Sequence, residues 1–253
     1  LMEALANYPV TPYTILELEG HFGAAGGRDS PLRIAVFGVM GLDSHQCAPM
    51  SDMVYEPIVD AAKRVVAEIQ EKEKPDYIIC LSHSGTENGK GEDYELAKAV
   101  NGIDVIISGH THTTLPEPIE VNDTLIVSCG PYTQNLGVLT VSRSGEDGSI
   151  KLNSYQLIPI DSSVPADPNM SAMAEAFKDT VEENYLARYG LGYDEVLTQS
   201  GTDFITAETG DLIGQAYLST IQEIEGDAYI PIAFAVAPDG VIRDRLRAGD
   251  ITT

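Results

Sequence analysis

Basic residues are scarce in this chain. Fifteen lysines and arginines face 39 aspartates and glutamates, for a formal net charge of −24. That field repels a nucleic-acid backbone or an anionic membrane surface, so neither is expected as a partner. Cysteine is also scarce. Cys47, Cys80 and Cys129 stand far apart, with no disulfide framework and no Cys-x-x-Cys metal knuckle. Cys80 and Cys129 fall in apolar, strand-like runs, where a small buried hydrophobe is the ordinary role. Long apolar runs are absent. Nothing approaches the roughly 20 residues that cross a bilayer, and no basic-then-apolar leader opens the chain. The glycine-rich stretch 23–27 has no Lys-Ser/Thr after it, which argues against a phosphate loop.

With 253 residues, 43% of them hydrophobic, the chain is long enough for one large or two modest domains. Residues 13–18 and 33–39 read as strands. Residues 56–73 read as an amphipathic helix with Ile58, Ala61, Ala62, Val65, Val66 and Ile69 on one face. Pro75 ends it. Hairpins follow at 119–128, around Asn122-Asp123, and between 137–142 and 150–160. Pro165-Ala166-Asp167-Pro168 marks a boundary before a helix over 169–189, stopped at Gly190. A strand at 195–198, a helix from 209 to 221 and a strand at 230–236 complete the expected elements. Residues 1–5 read like the middle of a helix with no start signal, so the chain is expected to be part of a longer one.

Two histidine motifs carry the chemistry. Ser82-His83-Ser84-Gly85 and Gly109-His110-Thr111-His112 each follow a short apolar run, and residues 93–100 between them have helical composition. A strand, a helix and a second parallel strand place both strand ends on one edge of a sheet. Open α/β sheets hold their ligands at that carboxyl edge. Three of the chain's five histidines thereby converge, which suits a cation bound by neutral imidazole. Surface-loop histidines are the ordinary alternative for any one of them. Three imidazoles suffice for a mononuclear site like that of a zinc hydrolase. Two metals need bridging carboxylates, and no obvious one stands at a comparable strand end. Asp104, inside the second apolar run, reads as a local cap or pairing partner. His45 and Cys47 read as incidental loop residues.

The run Gly102-Ile103-Asp104-Val105-Ile106-Ile107-Ser108-Gly109-His110-Thr111-His112 resembles the signature of the calcineurin-like metallophosphoesterases. More narrowly, it is similar to the 5'-nucleotidase / UDP-sugar hydrolase / 2',3'-cyclic phosphodiesterase family. Leu81 to Gly85, Ile126 to Tyr132 and Leu136-Gly137 add to the resemblance. Near the end, Gly240-Val241-Ile242-Arg243 and Gly249-Asp250-Ile251-Thr252 resemble the opening of that family's C-terminal domain.

The resemblance implies an α/β fold: the second half of a four-layer αββα sandwich over 1–165, a linker helix over 166–190, and the start of an α+β substrate-binding domain over 191–253. It implies two divalent metal ions (manganese, zinc, cobalt, magnesium or iron), with His83 and His110 on one and His112 on the other. A cation pair would reverse locally the acidic field that otherwise repels an anionic substrate. The family's Gly-Asp-x-x-Asp and Gly-Asn-His-Glu/Asp motifs do not occur here, and its Asp-x-His motif is matched in letters alone, by the loop triplet Asp43-Ser44-His45. They, and the family's catalytic histidine, are expected upstream of Leu1, and residues 1–9 resemble the helix after the last of them. The partial chain alone is therefore expected to be a poor catalyst. Arg243 matches the arginine of an Asn-Gly-Gly-Gly-Ile-Arg substrate motif, but Pro238, Asp239 and Val241 replace its other residues. A surface salt bridge is the competing role for Arg243. The implied function is metal-dependent hydrolysis of a nucleotide or other small phosphate ester, in an extracytoplasmic setting. The alternative is a surface ligand-binding module that keeps the fold without turnover.

Overall fold

A computed structural model describes residues 10–19, 31–87, 89–143, 148–237, 242 and 245–253. Two units divide the chain, Leu1–Val164 and Pro165–Thr253. The first unit opens with β1 (Tyr13–Leu18), β2 (Leu32–Met40), the one-turn helix α1 (Leu42–Gln46) and α2 (Ile58–Lys72). It continues through β3 (Tyr77–His83), α3 (Glu92–Ala99), β4 (Val105–Ser108), β5 (Ile119–Val121) and β6 (Thr124–Val127). These strands form one six-stranded sheet in the order β1-β2-β3-β4-β6-β5. The four central strands are parallel, and β1 and β5 add antiparallel edges.

Strand alternation explains which side chains meet. Successive residues point to opposite sheet faces. In register, Leu81 pairs with Ile107 and Ser82 with Ser108. Phe37, Ile78, Cys80 and Ile106 turn into the core with the buried stripe of α2, namely Ile58, Ala62, Val65, Val66 and Ile69. Of the apolar face expected for this helix, Ala61 alone is only half-buried. Each fully buried aliphatic side chain contributes roughly 1.5–3 kcal/mol. α2 ends where Lys74 takes a left-handed φ of 48° ahead of Pro75. The other sheet face is apolar but open, with Leu16, Leu81 and Ile107 all exposed. His83 shares the parity of Leu81 and lies on that face. The unit closes with the antiparallel pair β7 (Asn135–Arg143) and β8 (Ile150–Pro159).

At the amino end of the parallel strands, Asp104 is buried. One oxygen accepts the Ile78 N–H at 2.7 Å, and Arg143 Nη2 donates to both oxygens at 2.8 and 2.9 Å. Burial pushes this carboxyl above its ordinary pKa, against the pull of the N–H and the guanidinium. The Arg143 guanidinium also lies 4.8 Å over the Tyr77 ring. Asp104 is thus a local partner, as its place in the apolar run implied.

In the second unit, α4 (Pro168–Asn184) is capped by Asp167, whose Oδ1 accepts from Asn169 N at 2.8 Å and Met170 N at 3.0 Å. A 3₁₀ turn (Leu186–Tyr189) completes the stretch expected as one helix, and Gly190 stops it at φ 69°. β9 (Val196–Ser200), α5 (Thr206–Glu225) and β10 (Gly249–Thr252) follow, with β10 antiparallel to β9. The strand expected at 230–236 does not form. Pro231 removes a ladder donor, and Ile230, Phe234 and Val236 are exposed, with no strand paired to them among the described residues.

Candidate metal centre

β3 and β4 run parallel, so His83 and the Gly109-His110-Thr111-His112 segment leave the sheet at the same edge. The carbonyl of His83 accepts the Gly41 N–H at 3.2 Å and the Ser44 hydroxyl, tying the end of β3 to the start of α1. Gly109 N donates to Ser82 O at 2.8 Å and draws the chain leaving β4 against β3. A Cβ on Gly109 would lie 3.4 Å from His83 Nδ1, so a small residue there lets the second motif pass close to the first.

The second motif is held in an unusual conformation. His110 has φ 72° and His112 φ 56°, in the left-handed region that side chains other than glycine rarely occupy. Such conformations cost of order 1–3 kcal/mol, cluster at functional sites, and persist only where the surroundings impose them. Here the imposing contacts come from the loop after β3. Thr86 N donates to Thr111 Oγ1 at 3.2 Å, and the Thr111 and Thr113 hydroxyls both donate to Thr86 O. Gly85, at φ +95°, makes room for this. A Cβ there would fall 2.2 Å from Thr111 Cγ2.

His83 and His110 come together, with ring centroids 5.0 Å apart and planes at 61°. His112 instead meets Tyr132 edge-on at 5.2 Å. His110 is half-buried, while His83 and His112 are exposed. His110 Nε2 lies 2.7 Å from Asp43 Oδ2. Asp43, Cys47 and His110 place potential ligand atoms within 4.8 Å of one another. A carboxylate thus stands beside His110, just past β2, and Cys47, read as an incidental loop residue, lies close to both. His45 belongs to α1 and stacks on Tyr55 at 5.3 Å. The i, i+4 spacing of Asp43 and Cys47 was the available signal, hidden because one helical turn leaves no periodic pattern.

A second carboxylate, Asp93, lies behind the histidines. It is fully buried at the start of α3 and accepts one hydroxyl from Ser82 and another from Ser108, each at 2.5 Å. Strand parity sends these serines inward while His83 faces the other way. Asp93 N also donates to Gly85 O at 3.1 Å. One side chain therefore fastens both strand ends that carry the histidines. Burial raises its pKa, opposed by the two hydroxyls and by the Gly85 backbone facing the carboxyl. Arg243 lies outside the described residues, as do the glycine-rich stretch 23–27 and residues 1–9.

No family model matches the chain. The trifunctional nucleotide phosphoesterase protein YfkN of Bacillus subtilis is 30% identical over 252 residues, covering 96% of this chain and 16% of the relative. A 5'-nucleotidase of Vibrio cholerae is 25% identical over 279 residues, covering 95% of this chain and 48% of the relative. The chain belongs to the 5'-nucleotidase family of metallophosphoesterases. The solved calcineurin-like phosphoesterase YfkN from Bacillus subtilis has the same fold, with a TM-score of 0.55 at 21% identity over 69% of this chain and 59% of that one. The chain spans about a sixth and about a half, respectively, of the two curated relatives.

Proposed function

We propose that this chain carries part of a dimetal centre that hydrolyses phosphate esters of nucleotides or related small molecules. The observation that supports this most is the 5.0 Å approach of His83 and His110 from adjacent parallel strand ends, with the backbones of His110 and His112 both left-handed. Neutral imidazoles on a rim with nearby carboxylate and thiol groups fit a divalent transition metal. His83 and His110 would hold one cation and His112 the other. Bound there, the cations would draw charge from phosphoryl oxygens and acidify an attacking water.

The chain's own residues have distinct tasks. The imidazoles supply neutral donors. Asp93, through Ser82 and Ser108, keeps the two strand ends in register. Tyr132 limits the swing of the His112 ring. Arg243 is assigned to substrate binding by its motif alone. The open apolar face with Leu16, Leu81 and Ile107 supports a further covering layer, as in an αββα sandwich. The division into catalytic part (1–165), linker (166–190) and substrate-binding part (191–253) belongs to the same proposal, as does an extracytoplasmic setting. Among the described residues no helix is long and apolar enough to cross a membrane.

The test is an assay of the full-length protein with manganese against AMP, UDP-glucose, 2',3'-cyclic AMP and bis-p-nitrophenyl phosphate. Chelator-sensitive hydrolysis of at least one is expected. No metal-dependent turnover on any of them would sink the enzyme reading in favour of a binding module. One metal per chain by elemental analysis would point instead to a mononuclear hydrolase.

A further inference from the structure

We propose that Asp43 is a positioning residue for His110, fixing which ring nitrogen is free to take a cation. This deepens the proposed function, because it rests on His110 being a ligand. The argument starts from donors and acceptors. A carboxylate only accepts hydrogen bonds, so at 2.7 Å from Asp43 Oδ2 the His110 Nε2 must carry the proton. The lone pair of the neutral ring is then on Nδ1, which becomes the metal-binding nitrogen. Ligating histidines commonly give their other N–H to a carboxylate, which orients the ring and raises its basicity.

Asp43 is exposed, and an exposed carboxylate on a loose loop would hold nothing. Its backbone, however, is anchored from both sides. Leu42 N donates to Glu92 Oε1 at 3.0 Å, Gly41 N donates to His83 O at 3.2 Å, and the Ser44 hydroxyl donates to the same carbonyl. The turn bearing Asp43 is therefore fastened to α3 and to the residue that brings His83. The left-handed backbone of His110 restricts the ring from its own side.

Cys47 makes a rival arrangement imaginable, with Asp43, Cys47 and His110 chelating a cation themselves. Distances favour positioning. Two ligand atoms each about 2.0 Å from a tetrahedral ion lie about 3.3 Å apart, whereas Oδ2 and Nε2 are at hydrogen-bond separation, 2.7 Å.

The test is manganese titration of the full-length protein by calorimetry. Asp43→Ala should weaken manganese binding about 10–100-fold, the usual cost of losing a ligand's outer partner. Asp43→Asn keeps an acceptor for the Nε2 proton and should recover most of that loss. The KM for substrate at saturating metal and the unfolding temperature should stay unchanged in both. Unchanged manganese affinity in Asp43→Ala would overturn the positioning role. If His110→Ala still abolished binding, the proposed function would stand without it. Cobalt titration decides against the rival. A thiolate-to-cobalt charge-transfer band lost in Cys47→Ser would show chelation by the trio and overturn the proposal, whereas absence of that band upholds it.

Discussion

The two edges of the parallel sheet each bury an aspartate, and the two are treated differently. At the amino edge Asp104 faces a guanidinium and a backbone N–H. At the carboxyl edge Asp93 meets the hydroxyls of Ser82 and Ser108 and the Gly85 backbone, with no cationic hydrogen-bond partner among the described residues. Burial raises the pKa of both. The amino edge is locked by an ion pair, a device for holding β7 against the sheet. The carboxyl edge is locked by neutral donors, which leaves the strand ends fixed without placing an arginine beside the rim where cations are proposed to bind. A guanidinium there would repel a divalent ion.

The strongest way to break this comparison is to remove one group from each edge. His110→Ala in the full-length protein should cut the proposed metal-dependent hydrolysis more than about 100-fold, beyond the typical cost of losing an outer partner of a ligand. Arg143→Ala should leave turnover per folded molecule within about 2-fold, since the proposed chemistry lies at the opposite edge. Steady-state rates normalised to folded protein test both. Equal losses would erase the distinction between the edges.

Stability sharpens it next. Arg143→Ala strips a buried carboxylate of its main partner and should cost about 1–3 kcal/mol by urea unfolding, with metal affinity unmoved. Asp93→Ala should cost a similar amount, because two buried hydroxyls lose their acceptor. It should also weaken metal binding about 10–100-fold, because Ser82 and Ser108 adjoin His83 and Gly109. If Asp93→Ala behaved like Arg143→Ala in both measurements, Asp93 would be a core residue only.

The smallest effect is in pH. The folded-state pKa of Asp93 is raised, so the folded chain holds that proton to higher pH than the unfolded one. Its contribution to stability is fully present below the ordinary carboxylate pKa and is lost as pH rises through the folded value. Unfolding free energies measured upward from about pH 4 should therefore fall less steeply in Asp93→Asn than in the parent. An unchanged slope would mean Asp93 titrates normally.

Much of this was readable from residue order. The apolar runs in 33–39 and 77–81, the stripe of α2 and the turn at Asn122-Asp123 each produced the element expected, because each pattern is local. Parallel pairing of β3 and β4 followed from the helix between them. Asp93 was not readable as a clamp. An acidic residue in the first turn of a helix ordinarily serves the helix dipole, and its burial depends on serines from two other elements. Asp43 escaped notice because a single turn has no periodicity. The run 230–236 misled in the other direction, since β-forming residues make a strand only where a neighbouring strand receives them.

Anomalous scattering from crystals of the full-length protein grown with zinc examines the cation site itself. The expected map has one peak about 2.0–2.1 Å from nitrogens of both His83 and His110, the zinc–imidazole distance, and a second beside His112. Peaks remote from all three rings, with none between His83 and His110, would contradict a metal centre on this rim.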